Sequence, residues 1–180
     1  MRWKADSPTV FDSNCVTYLL DALVHASRPG AVDKLATQKL ALVRVLFYGP
    51  HLLAYTDTVR AEVASISDTL RRDRHLNALD VHFRELSILD PSRAESERSR
   101  LTGAGINSKD ARWMGEALAH DAPLIVTWDR GLLGQARRAG ESRVQSPATA
   151  YATLGIGVDS PLRTRPVAAN PLSGQSWWRL

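Results

Sequence analysis

The chain has 180 residues, with 23 Lys and Arg against 19 Asp and Glu, a formal net charge of +4 and a pI near 9.6. Hydrophobic residues make up 44% and charged residues 23%, the balance of a globular domain, which excludes a mainly disordered, a collagen-like or a membrane-bundle chain. No apolar run approaches the roughly 20 residues of a membrane span, and the single cysteine, Cys15, excludes an internal disulfide framework and a cysteine-based zinc cluster.

Residues 9–11 (Thr-Val-Phe) are β-branched and apolar after Pro8 and predict a first strand, punctuated by Asp12-Ser13-Asn14. Over 15–26, Val16, Leu19, Leu20, Leu23 and Val24 fall at helical spacing, and Arg28-Pro29-Gly30 closes that helix. A second helix is expected over 31–47, stopped by Gly49-Pro50, then a strand over 52–55 and a helix over 58–66. A strongly basic helix containing Arg71, Arg72, Arg74 and His75 follows. Residues 86–89 (Leu-Ser-Ile-Leu) read as a strand ending at Asp90-Pro91, and a charged helix over 94–101 leads to the Gly103-Ala104-Gly105 break. Ser108 opens a helix with Ala111, Met114, Leu118 and Ala119 on one side, ended by Pro123. Residues 124–127 give the clearest strand, followed by a helix over 132–138, a strand over 143–145 and a helix over 148–154.

Short strands alternating with helices predict an α/β fold with a largely parallel sheet. Residues 1–157 are expected to form one domain and residues 158–180 a Pro-rich tail, with Pro161, Pro166 and Pro171 among small and polar residues. The tail ends in Trp177-Trp178, which either dock on the domain or on a partner subunit, or are a loose end. The opening MRWKADSP has no apolar stretch behind it, so no secretory signal and a cytoplasmic, reduced location are expected.

In an open parallel sheet, ligands bind outside the carboxyl ends of the strands. Asp12 directly follows the first strand and Asp129 lies three residues past Val126. Asp110 sits in the first turn of the helix leading into that later strand, and Glu62 in the helix after the 52–55 strand. Each has a structural reading too. Asp12 and Asp129 suit helix caps, Asp110 complements a helix dipole, and Glu62 suits a solvated face or a pair with Arg60. An acid recurring at one end of each unit nevertheless suggests a carboxylate cluster, which ionises fully only beside cations. Oxygen-only ligands favour hard ions such as Mg²⁺ or Mn²⁺, suited to phosphate chemistry. Basic residues outside such a site would hold a nucleic-acid backbone.

At these residues the sequence resembles the PIN-domain ribonucleases, the family that includes the VapC toxins. Val10-Phe11-Asp12-Ser13-Asn14 resembles the first-strand signature of that family. The segment from Thr56 to Glu62 resembles the second, with a hydroxyl residue six places before Glu. Ser108-Lys109-Asp110-Ala111, followed by Ala117, Leu118 and Ala119, resembles the third, and Leu124-Ile125-Val126-Thr127-Trp128-Asp129 the fourth, an apolar strand ending in Thr-x-Asp. All four occur in family order across residues 9–154, although Gly131 stands where many members carry a further acid.

The resemblance implies a three-layer α/β/α PIN-like fold with a short, largely parallel central sheet. It also implies one or two Mg²⁺ or Mn²⁺ ions held by Asp12, Glu62, Asp110 and Asp129, with Asn14 and Thr127 as supporting polar neighbours. The implied activity is hydrolysis of single-stranded RNA by the toxin of a type II toxin–antitoxin pair. An antitoxin protein and a second copy of the chain are the implied partners, and no membrane is involved. Arg130, Arg112, Arg71, Arg72 and Arg74 are candidate RNA contacts, and the last three also fit a solvated helix face. Trp128 suits either base stacking or packing on a helix. Cys15 is expected to be a buried helix residue, and the five histidines show no zinc spacing. The competing reading is a PIN-like module that binds RNA or protein with little or no catalysis. Another metal phosphohydrolase family is disfavoured, because Asn14 replaces the second acid of its usual Asp-x-Asp opening.

Overall fold

A computed structural model describes residues 7–25 and 52–154 of the chain. The helix expected over 31–47, the turn at 28–30 and the tail 158–180 with Trp177-Trp178 lie outside the described residues.

Five strands form one sheet: β1 (Pro8–Phe11), β2 (Leu52–Thr56), β3 (Arg84–Leu86), β4 (Leu124–Val126) and β5 (Val144–Gln145). Their order is β3-β2-β1-β4-β5 and every pairing is parallel. Parallel neighbours need crossover connections, and the chain supplies helices for them. They are α1 (Ser13–His25), α2 (Asp57–Ala64), α3 (Thr69–His82), α4 (Pro91–Gly103), α5 (Ser108–Ala119), α6 (Arg130–Arg138) and α7 (Pro147–Thr153). The fold is therefore α/β with an all-parallel central sheet. Val10 and Phe11, Leu53 to Tyr55, and Leu124 to Val126 are buried continuously along their strands, without the alternation of a half-exposed sheet. Runs of that kind belong to a sheet covered on both faces, consistent with a three-layer α/β/α arrangement.

The chain steps outward from β1 to β2 and β3, then crosses back to β4 and continues to β5. The order thus reverses between β1 and β4, and connections of constant hand leave those two strands toward opposite faces. Ligands of open parallel sheets gather at such a point, beyond the strands' carboxyl ends. In this sheet Asp12 and Thr127 directly follow the two strands there.

Expected elements appear with boundaries moved by at most three residues, but β3 shares only Leu86 with its expected span. The expected strand over 86–89 is instead Arg84–Leu86, in register with Ala54, Tyr55 and Thr56 of β2. Because β2 ends at Thr56 and α2 begins at Asp57, residues 87–89 have no neighbouring strand to pair with. The apolar Ile88 and Leu89 stay exposed beyond it, Leu89 at 84%.

Helix ends follow the sequence closely. Asp68, Asp90, Asn107, Asp129 and Ser146 accept hydrogen bonds from backbone N–H groups of the first turns of α3 to α7, and Pro91 and Pro147 open α4 and α7. Gly115 lies where α4 and α5 pack. A Cβ on it would stand 2.8 Å from the Ala94 carbonyl oxygen and 3.0 Å from the Arg98 nitrogen, so only glycine permits this approach. Among the described residues no helix is long and apolar enough to cross a membrane.

His82, in the last turn of α3, carries a pH dependence of its own. Burial pushes its imidazole from the ordinary 6.5 down to about 4. Between those values the unfolded chain binds a proton that the folded chain refuses, so stability falls as pH drops through that window. Urea unfolding at pH 7, 5.5 and 4.5 should show a loss in the wild type that is smaller in His82→Gln. Equal losses in the two proteins would remove His82 from the account.

Candidate functional site

Asp12 is buried at the carboxyl end of β1. Its backbone N–H donates to the Val126 carbonyl at 3.1 Å, keeping it joined to the end of β4. Its Oδ1 accepts from the Cys15 N–H at 2.6 Å, and its Oδ2 accepts from the Thr127 hydroxyl at 2.5 Å. Burial raises the carboxyl above its ordinary range, against these two hydrogen bonds, which favour the ionised form. Burial and the two hydrogen bonds thus pull the carboxyl in opposite directions, and burial is the larger effect. The helix-cap reading also holds, since Cys15 N lies in the first turn of α1. The two roles coexist, because each carboxylate oxygen has a second lone pair.

Thr127 is fully buried and connects two acids. Its hydroxyl donates to Asp12 and accepts from the Asp129 N–H at 3.0 Å. Asp129 itself is exposed and caps α6, with Oδ1 accepting from the Gly131 and Leu132 N–H groups at 2.6 and 3.0 Å. On the other flank, the Ser13 hydroxyl donates to Glu62 Oε2 at 2.7 Å. Glu62 Oε1 lies 3.3 Å from the Lys109 ammonium. Lys109 directly precedes Asp110, whose Oδ2 accepts from Asn107 Nδ2 at 2.5 Å.

The four acids are thus strung along one polar chain, Asp129–Thr127–Asp12–Ser13–Glu62–Lys109–Asp110, whose successive members are either bonded or adjacent in sequence. The structure joins Asp12 to Asp129 through Thr127 and Asp12 to Glu62 through Ser13, and sets Asp110 beside Glu62's partner. It does not draw them into one tight knot. Among the described residues no three His, Cys, Asp or Glu side chains form a group able to hold a metal ion.

No protein-family model, curated protein or solved structure matches this chain.

The donor set itself argues for a hard cation. All four groups are carboxylates, without a thiolate or imidazole among them, the oxygen-only chemistry of Mg²⁺ or Mn²⁺. Among the described residues the one positive group touching them is the Lys109 ammonium on Glu62, and that side chain is 72% exposed. In kind and in charge the four acids suit a hard divalent ion, while among the described residues their side chains do not form a group able to hold one.

Asn14 is exposed, two residues past the buried Asp12. Arg130 opens α6 at the surface next to Asp129. Arg71 and Arg74 are exposed on α3, while Arg72 lies 3.4 Å from Asp73. Their neighbour His75 turns inward: its Nδ1 is 2.7 Å from the Arg71 carbonyl and its Nε2 is 3.0 Å from the Thr17 hydroxyl, fastening α3 to α1. Trp128 packs on Tyr18 of α1, with ring centroids 4.6 Å apart, so the packing reading of this residue holds. Cys15 is buried, as expected.

Glu116 had no place in the sequence reading. It is buried on α5, and its carboxylate takes both the Thr58 hydroxyl at 2.5 Å and the Thr58 N–H at 3.1 Å. The N-cap residue of α2, Thr56, makes no side-chain cap bond, so a carboxylate from another helix caps α2 in its place. That clamp sets the helix carrying Glu62 against the helix carrying Asp110. One signal was available: Glu116 interrupts the apolar run from Trp113 to Leu118, where a charged residue must be paired if it is buried.

Proposed function

We propose that this chain is a PIN-like, metal-dependent endoribonuclease that hydrolyses phosphodiester bonds of single-stranded RNA, and that it acts as the toxin of a type II toxin–antitoxin pair in the cytoplasm, as a homodimer. The observation that carries the reading is the polar chain that runs from Asp129 through Thr127, Asp12 and Ser13 to Glu62 and Lys109, the sequence neighbour of Asp110, and that passes the carboxyl ends of β1 and β4. An isolated cap or a solvated acid would have no reason to be joined to a second acid through a buried hydroxyl, as Asp12 is to Asp129 through Thr127.

In this reading Asp12 and Asp110 hold the principal Mg²⁺ or Mn²⁺, and Glu62 and Asp129 complete its surroundings. The bound ion would polarise the scissile phosphate and lower the pKa of its attacking water. The chain's own residues do the positioning. Thr127 and the Cys15 N–H fix the rotamer of Asp12, Ser13 orients Glu62, and Asn107 orients Asp110. Asn14 and Arg130, both exposed and close in sequence to acids of the site, would contact the RNA in this reading. No protein nucleophile is required, which agrees with a buried thiol at Cys15.

A module that binds RNA or protein without cutting is the second reading. It is favoured by Asp110 and Asp129, each already engaged at the start of a helix. One assay separates the two. End-labelled single-stranded RNA should be cut with Mn²⁺ or Mg²⁺ present and left intact after EDTA. Cleavage that survives EDTA contradicts the metal-dependent reading, and intact RNA with a folded protein favours the binding module. A gene for a small DNA-binding protein directly upstream would support the toxin assignment, and an isolated gene would count against it.

A further inference from the structure

Two threonine hydroxyls, those of Thr9 on β1 and Thr56 at the end of β2, have no hydrogen-bond partner among the described residues. Both residues are fully buried, where a hydroxyl without a partner is costly. Their neighbours differ. The register sets Thr9 between Leu53 and Leu124, among apolar side chains. Val10 pairs with Ala54, so two residues further on Asp12 comes level with Thr56. On its other side Phe11 pairs with Val126, and the bond from the Asp12 N–H to the Val126 carbonyl carries that pairing on, with Asp12 level with Thr127. Thr56, Asp12 and Thr127 therefore form one row across β2, β1 and β4 at their carboxyl ends. Residues level with one another in a parallel sheet project to the same face, as the bond from the Thr127 hydroxyl to Asp12 shows on one side.

Thr56 is also relieved of the task its position normally brings. As the N-cap of α2, its hydroxyl would ordinarily accept from the N–H of the second or third helical residue. Thr58, the second residue of α2, instead gives its N–H to Glu116 at 3.1 Å, and Thr56 makes no side-chain cap bond. A carboxylate brought from α5 thus leaves the Thr56 hydroxyl in the Asp12 row, uncommitted to the helix. A carboxylate accepts hydrogen bonds at about four sites. The Cys15 N–H and the Thr127 hydroxyl are bonded to Asp12 at one oxygen each. Buried polar groups that stand near one another without a direct bond are commonly joined by an ordered water.

We infer that Thr56 is a positioning residue for Asp12: its hydroxyl holds that carboxylate from the β2 side, through one shared buried water, as Thr127 holds it from the β4 side. The inference rests on the ribonuclease reading for what a fixed Asp12 serves, and it adds a residue that the polar chain from Asp129 to Lys109 does not include. Thr9 is the internal contrast. It is an equally buried hydroxyl on the same sheet, but no acid is level with it.

The test is a double-mutant cycle on the full chain, read by thermal melts in EDTA, with Mn²⁺ titration as a second readout. Thr56→Val keeps the shape and removes the hydroxyl. It should lower Tm by about 2–4 °C beside Asp12. In the Asp12→Asn chain the loss should be at most about half as large, because a bond to a charged group is roughly twice as strong as one to a neutral group. Thr9→Val should raise Tm, and equally in both chains, since it removes only an unbonded polar group. Thr56→Val should also weaken Mn²⁺ binding about three- to tenfold, Thr56→Ser should recover most of that affinity, and Thr9→Val should leave it within twofold. A crystal structure should carry one ordered water within hydrogen-bond distance of both Thr56 Oγ1 and the Asp12 carboxylate. Equal losses from Thr56→Val in the two chains, a rise like that of Thr9→Val, or no such water would overturn the inference. A wild type that takes up no Mn²⁺ defeats the divalent-cation reading alone, because the melts and the water are read without metal. Mn²⁺ uptake with additive melts defeats this inference alone.

Discussion

Asp12→Asn should abolish RNA cleavage, by at least about a hundredfold, while leaving the fold as stable as the wild type or slightly more so. The two effects share one cause. Burial pushes the Asp12 carboxyl above its ordinary range, so keeping it ionised at neutral pH costs the folded state free energy. Asparagine has the same shape. It retains an oxygen for the Cys15 N–H, and its amide donates to the Thr127 hydroxyl in place of the bond now running the other way. The charge and its cost go together. A gain of about 1 kcal/mol corresponds to roughly 2–4 °C in Tm for a chain of this size. The measurement is paired: initial cleavage rates and thermal melts on the same preparations. A variant that loses activity and also melts many degrees lower would assign Asp12 a structural role.

Gly115→Ala should destabilise the protein, reversing the usual sign of that substitution in a helix. In an exposed helix interior, alanine gains about 1 kcal/mol over glycine. At this position the new methyl carbon would stand 2.8 Å from a backbone carbonyl oxygen and 3.0 Å from a backbone nitrogen of α4. Backbone cannot swing aside as the end of a flexible side chain can. Relief requires α4 and α5 to separate, and overpacking of this kind costs about 1–3 kcal/mol. Chemical denaturation should show the midpoint moving down, and an upward shift would mean that the two helices are not held this close.

How much of this could be read from the sequence depended on what each residue's signal shares with its alternatives. β1 and β4 were legible because strands buried on both faces are written as unbroken apolar runs, Val10-Phe11 and Leu124-Ile125-Val126. α5 was legible from its apolar side and from Asn107-Ser108 ahead of it. β3 was misread because Leu86-Ser87-Ile88-Leu89 is as apolar as a strand, yet its length is set by β2, which stops at Thr56. Pairing is a property of two segments, and one segment's composition does not reveal where its partner ends.

The site divides along the same line. Asp12, Thr127 and Asp129 follow from the strand ends, since the carboxyl edge of a parallel sheet is where ligands gather. Ser13 and Lys109 were quoted as parts of motifs, but their bonds to Glu62 depend on how α1, α2 and α5 meet. Glu116 was hidden for the opposite reason. A charged residue in a helix normally faces water, and only the tertiary packing shows its carboxylate capping the start of another helix at Thr58.

The central claim is that Asp12, Glu62, Asp110 and Asp129 act as one site for a divalent cation. Calorimetric titration of Mn²⁺ into the wild type and into Asp12→Asn, Glu62→Gln, Asp110→Asn and Asp129→Asn tests it without recourse to RNA. The account predicts saturable binding of one or two ions by the wild type, weakened at least about tenfold in each variant, because each removes a charged oxygen donor from the same ion. A wild type that takes up no Mn²⁺, or four variants that bind it as the wild type does, would contradict the claim.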